Sequence, residues 1–276
     1  MDKEQYIKLL FDSYLRRKAE NELYSKTSSV PKVIILEYLS FIKKPAFEDL
    51  IGKYKSEYIF CESLIENNMS NEEIYGLANV YDFIQNFNFN KDNFNIFTTS
   101  LQIHYLLYKM CGDGTFGGKL RETTAVLNDW NVEVPDATDA AKVFNSFISN
   151  SDFIFDKYKK GDIFGYINDC IKLNVALIKL QPFADGNKRT FRALLNLQLK
   201  ILNIPPIAIE EQENGEYKQA LYRAITAKCD DDYNDLFQFY LYKICDSIIR
   251  LDINNSKLKS YSEKEKYEKK LLKHYQ

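Results

Sequence analysis

Residues 181–192 read QPFADGNKRTFR, and the reading of the whole chain turns on them. They interrupt two apolar stretches, IFGYINDCIKLNVALIKL from about Ile163 to Leu180 and KRTFRALLNLQLKIL after it. Both neighbours have helical spacing; Gln181-Pro182 breaks the first and Ile204-Pro205-Pro206 ends the second. A turn that enters a helix offers unpaired backbone N–H groups and the positive end of the helix dipole, which together make an anion site. Gly186 permits a positive φ or close backbone approach. Asp185 is a hard oxygen ligand of the kind Mg²⁺ takes alongside phosphates. Arg189 and Arg192 fall three apart on one helix face, spaced to clamp successive phosphates. A DGN turn followed by a solvated basic face is the plainer alternative. Two arginines and an aspartate at the mouth of an apolar helix weigh against it, because unpaired buried charge is costly.

The rest of the chain sets bounds. Its 276 residues are 45% hydrophobic and 28% charged, an ordinary globular balance with room for a substantial core. Lys+Arg 37 against Asp+Glu 39 leaves a net charge of -2, without the basic excess of a dedicated nucleic-acid binder. Ten Gly and six Pro are too few for a turn-dense β protein, so a helical fold is expected. Cys61, Cys111, Cys170, Cys229 and Cys245 are scattered with no CxxC pair, which suits reduced thiols in the cytoplasm. Two histidines, His104 and His274, leave little scope for a His-rich metal site or an imidazole base. The start, MDKEQYIKLLFDSYLRRKAE, is charged throughout, unlike a signal peptide, and no stretch approaches the roughly 18 apolar residues of a membrane span.

Along the chain, helical spacing dominates. Tyr6, Leu9, Leu10 and Tyr14 form one stripe over about residues 3–24, and the apolar run VIILEYL follows Pro31. Ser70 with Glu73 is a capping box opening a helix through about Phe87. FTTSLQIHYLLYKM reads as a buried helix, in which His104 is a satisfied core residue. Gly112, Gly114, Gly117 and Gly118 then open a loop, and the strand-like runs TTAV and NVEV predict a small hairpin. Thr138 is expected to cap the next helix, and further helices are expected near Tyr217–Lys228 and Asp232–Ile253. The tail KLKSYSEKEKYEKKLLKHYQ reads as a solvated, charge-laced helix.

QPFADGNKRTFR resembles the signature of the Fic (Fic/Doc) family, H-x-F-x-[D/E]-G-N-[G/K]-R-x-x-R. Phe183, Asp185, Gly186, Asn187, Lys188, Arg189 and Arg192 match it, and Gln181 departs from it. GGKLRETTAVLND is similar to the family's G-x-x-R segment and flap hairpin, and PPIAIEEQENGEYKQALYRA to its next helix. The likeness spans about residues 60–245. It implies an all-α fold, mostly helical, with a small β-hairpin flap. The expected division is a helical N-terminal extension at 1–60, a Fic domain with an inhibitory helix at 61–250, and a charged C-terminal helix at 251–276.

The resemblance implies a protein adenylyltransferase that moves AMP from ATP to a hydroxyl of a target protein. Asp185 would hold Mg²⁺, and Gly186, Asn187, Lys188, Arg189 and Arg192 would bind the nucleotide, with Arg192 on the γ-phosphate. The catalytic positions would be Gln181 and Asn187, and Phe183 would anchor the loop. A target protein would dock on the flap near Thr123–Val134 by strand addition; no membrane or nucleic acid is implied, and self-association is left open. Lys188, which the kinase-like Doc branch shares, leaves a second nucleotide orientation open. Gln181 stands where the family has the His that accepts the target's proton. Its amide has no such pKa, and losing a general base costs roughly 10²–10⁴-fold in rate. A nucleotide-binding pseudoenzyme, an engineered inactive variant and chemistry without this base are the three readings of that residue. ESLIENNMSNEE resembles the family's inhibitory helix, [S/T]-x-x-x-E-[G/N], with Glu66-Asn67 matched and Glu62 at the first position. Glu66 would pair with Arg192 and block the γ-phosphate, so that removing it frees Arg192. In the reverse reaction, removal of AMP, Glu66 would position water.

Overall fold

The computed structural model describes residues 30–41, 51–52, 54–66, 69–89, 94–111, 116–127, 130 and 132–255. The expected helix at 3–24, the glycines at 112 and 114 and the charged tail beyond 255 lie outside the described residues. Nine helices of nine residues or more carry the rest: α1 Val30–Phe41, α2 Lys55–Ile65, α3 Asn71–Asn86, α4 Ile96–Tyr108, α5 Ala137–Asn145, α6 Ile163–Leu180, α7 Asn187–Lys200, α8 Asn214–Ile225 and α9 Asn234–Asn255. The fold is mostly helical, as expected.

At its centre is α7, which packs against α6, α4 and α3. From Arg189 to Lys200 every one of its residues is buried, including five long polar or charged side chains. A helix buried on all sides must find partners for such groups, and among the described residues it does so for all but the Gln198 Nε2. Asn196 exchanges two hydrogen bonds with the backbone of Ile207, accepting at 2.8 Å and donating at 3.1 Å. Lys200 Nζ donates to the carbonyls of Gln85 and Phe87, closing the C-terminal end of α3. Around α7 the aromatic rings of Phe144, Phe183 and Phe191 pack with centroids 5.8–6.4 Å apart.

Ser70 and Glu73 form the expected capping box at the start of α3, with both reciprocal bonds present. Gly76 then lets α3 meet α4 backbone to backbone, since a Cβ there would lie 1.9 Å from the Leu107 carbonyl oxygen. Two local expectations are corrected. Asp136, not Thr138, caps α5; its Oδ1 accepts from the N–H of Asp139 at 2.8 Å, and its extended backbone puts it one residue outside the helix. The hairpin expected from TTAV and NVEV is also absent as a ladder. The described residues contain no strand, and the segment carries one antiparallel bridge, Leu127 to Val132. The main chain there is fixed by a side chain instead. Arg121 donates from Nε to Gln181 O (2.5 Å), from Nη1 to Thr123 O (2.7 Å) and from Nη2 to Pro135 O (2.5 Å).

Candidate anion site at the start of α7

The loop 181–186 joins α6 to α7, and it is knotted by its own side chains. Gln181 ends α6 in the left-handed region at φ 48, a conformation that costs a non-glycine residue roughly 1 kcal/mol or more. It is held there from both ends of its amide. Nε2 donates to Ile178 O at 2.6 Å, and Oε1 accepts from Asn187 Nδ2 at 3.0 Å. Asn187 also closes the loop on Phe183, accepting from its N–H at 3.0 Å and donating to its carbonyl at 2.8 Å. Gly186 has φ 71 and caps α7 with no side chain, and a Cβ there would strike the Tyr108 ring at 2.6 Å. The first turn of α7 therefore enters a cavity of about 230 Å³ without a side-chain cap on its N–H groups.

That cavity is bounded by Ala184–Arg189 and Gln181 on one side, by Val126 and Leu127 on another, and by Glu66. The structure thus brings Gln181, Asp185, Gly186, Asn187, Lys188, Arg189 and Glu66 to one cavity. Arg192 lies behind Glu66, in a second cavity of about 190 Å³ that shares Glu66 and Lys188 with the first. Trp130 and Tyr217 line this second space, with Lys188 Nζ 5.4 Å from the Trp130 ring centroid. Asp185 is the outward-facing acid. Its Oδ1 accepts from Gly186 N–H at 2.6 Å and its Oδ2 from Tyr108 OH at 3.1 Å, while the side chain stays 69% exposed. An exposed carboxylate beside uncapped N–H groups fits the single protein ligand that Mg²⁺ commonly takes when phosphates supply others.

Both arginines are already engaged by acids. Arg189 donates from Nη1 to Glu73 Oε1 at 2.5 Å, and from Nη2 to Tyr108 OH at 2.5 Å. Arg192 donates from Nη2 to Glu66 Oε1 at 2.9 Å, the pair that the resemblance implied. It also donates from Nε and Nη2 to Glu62 Oε2, at 3.0 and 2.9 Å. Removing Glu66 would therefore leave Arg192 paired, which corrects the expectation that it would be freed. Burial works against ionisation of Glu66, yet Arg192, with Arg189 and Lys188 nearby, holds its carboxyl below the usual range. Glu62 goes the other way: it is 1% exposed, and burial pushes its carboxyl up despite Arg192.

Among the described residues, the one histidine within reach of the loop is not a base. His104 stacks on Phe183 with centroids 4.0 Å apart. Its Nδ1 accepts from Gly118 N–H at 2.8 Å, which leaves Nε2 to donate to Asp185 O at 3.1 Å. Burial pushes its pKa down to about 4, and no lone pair remains to take a proton. Sequence reasoning missed Glu73 and Tyr108 as partners of Arg189 and gave Glu62 no role. In the sequence Glu62 shows only as the first position of the inhibitory-helix pattern, four residues before Glu66, which by itself names no partner.

Against this geometry the comparisons fall into place. Residues 97–199 match the Fic/DOC family, so the chain carries a Fic/DOC family domain. Among solved structures it is similar to Fic-1 from C. elegans, with TM-score 0.60 and 16% identity over 88% of this chain and 72% of that one. It is also similar to a Fic domain containing signaling protein from Bacteroides thetaiotaomicron, with TM-score 0.55 and 15% identity over 86% and 96%. At such identities the likeness is one of fold.

Proposed function

We propose that this chain is a self-inhibited, ATP-binding protein adenylyltransferase of the Fic type whose transfer step is disabled at Gln181. Members of the family are commonly AMP-transferring enzymes. The observation that carries the reading is the cavity at the start of α7, where uncapped N–H groups, Arg189, Lys188 and Asp185 converge. Backbone N–H groups and Arg189 would hold two phosphates, Asp185 would hold Mg²⁺, and Arg192 would meet a third phosphate once its glutamates withdraw. Bound Mg²⁺ would neutralise part of the phosphate charge. A target segment would lie along the extended stretch of Val126 and Leu127 at the cavity mouth, and a cytoplasmic setting suits five free thiols. At the position of the base, the Gln181 amide can accept no proton, and both of its ends are spent on the loop.

That last observation also favours a second reading, in which the protein binds nucleotide and acts as an interaction module without transfer. Binding and labelling separate the two. Arg189→Ala is expected to weaken Mg·ADP binding by roughly 1.5–3 kcal/mol, the worth of a charge-assisted contact; equal affinity in calorimetry would remove the phosphate-site reading. Labelling with α-³²P-ATP should be at background in the wild type. Gln181→His in a chain also carrying Glu62→Gln and Glu66→Gly should raise it by roughly 10²–10⁴-fold. Silence in that variant with α- and γ-labelled ATP, in a lysate of potential targets, would favour the interaction module.

A further inference from the structure

The two glutamates on Arg192 differ in one decisive respect. Glu66 is the residue after α2, with extended backbone at φ -104 and ψ 104, and its side chain is 24% exposed. It can swing away by side-chain rotation alone. Glu62 lies inside α2, on the face that also buries Tyr58, Cys61 and Ile65, and it can leave Arg192 only if α2 unwinds or shifts. It takes two of the guanidinium's hydrogens on Oε2, and its Oε1 has no hydrogen-bond partner among the described residues. That oxygen is a ready acceptor for the Nη2 hydrogen that Glu66 would give up.

The charges around the two cavities sharpen the point. Lys188, Arg189 and Arg192 face Glu62, Glu66, Glu73 and Asp185, so the acids outnumber the bases. The first cavity holds Arg189 and the helix start; Arg192 is not among its walls. A ligand with two phosphates uses only the first set. A third phosphate must take Arg192 from its carboxylates, and with Glu62 in place it approaches a neutralised guanidinium beside a buried acid.

We propose that Glu62 is the residue that sets phosphate number at this site: with Glu62 paired to Arg192, the pocket takes a nucleoside diphosphate and discriminates against the triphosphate, even when Glu66 is gone. The inference rests on the nucleotide-site reading above and adds its selectivity. Displacing Glu66 is then only half of the release, and the triphosphate becomes favoured when the Glu62 charge is removed too.

Calorimetry with Mg·ADP and Mg·ATP tests it in the wild type, Glu66→Gly, Glu62→Gln and the double variant. Glu62→Gln keeps an oxygen on the guanidinium while removing the charge, so Arg192 is not stranded; thermal melts verify that each variant is folded, and the Glu62→Gln/Glu66→Gln pair replaces the double variant if it melts early. The wild type should bind ADP at least as tightly as ATP. Glu66→Gly alone should change the ATP-to-ADP affinity ratio by less than about threefold, and the double variant should raise it at least tenfold, a gain comparable to one charge-assisted contact. A tenfold rise in Glu66→Gly alone, or none in either double variant, would overturn the role of Glu62 and leave the nucleotide site standing. Absence of ADP binding in every variant would overturn both.

Discussion

At the scale of single residues, the site is governed by what each polar atom has already spent. His104 is the sharpest instance. Its imidazole is neutral in the fold because burial lowers its pKa to about 4, whereas the unfolded chain titrates near 6.5. The unfolded state therefore binds the proton first as pH falls. The resulting stability is complete above about pH 6.5 and is lost progressively down to about pH 4, on the order of 3 kcal/mol in all at about 1.4 kcal/mol per unit. His104→Phe keeps a ring against Phe183 but strands the Gly118 N–H, so it should be less stable at pH 7. The gap between variant and wild type should close as pH falls to 4. Thermal unfolding across that range checks it; a gap that stays constant would mean that His104 takes up its proton at the same pH in the folded and unfolded chain.

At the scale of elements, α3 couples the fold to the site. Glu73 caps the helix with Oε2 and takes Arg189 with Oε1, so one side chain serves as helix cap and as partner of an arginine in the cavity. Ser70→Ala should cost about 1 kcal/mol, the usual value of an N-cap. Gly76→Ala should cost more, at least 1–3 kcal/mol, because its methyl would meet the backbone of α4 and not a side chain that can turn aside. Urea unfolding of the two variants ranks them. These elements also show what the sequence discloses. The span of α6, Ile163–Leu180, and the Ser70–Glu73 box are legible because apolar period and capping chemistry are local signals. Glu62 is not, because a carboxylate on a helix reads as solvent-facing until the tertiary fold brings an arginine from residue 192 against it. The hairpin misled for the opposite reason: the runs TTAV and NVEV imply strands, but Arg121 ties the segment to the loop before α7 instead, through the carbonyls of Gln181, Thr123 and Pro135.

At the scale of the molecule, the glutamates that restrain the arginines belong to the body of the protein. Tyr54, Tyr58 and Cys61 form a buried cluster with Ile51, Tyr81 and Ala208, joining α2 to α3 and to the segment after α7. Deleting residues 1–70 should therefore abolish cooperative unfolding and expose apolar surface, not yield an unrestrained protein. Calorimetric melting and dye binding to exposed apolar surface measure this; a truncated chain that melts cooperatively near the wild-type temperature would show that α2 is an appendage.

The hold of two glutamates on Arg192 has a consequence for heredity. Codons for glutamine and histidine differ only in the last base, so a single nucleotide change at position 181 alters whether the loop carries an imidazole. Undoing the hold on Arg192 takes separate changes at Glu62 and Glu66, of which the first lies in a packed helix. A chain that acquires histidine at 181 still has its arginines occupied, so that change by itself leaves the site restrained.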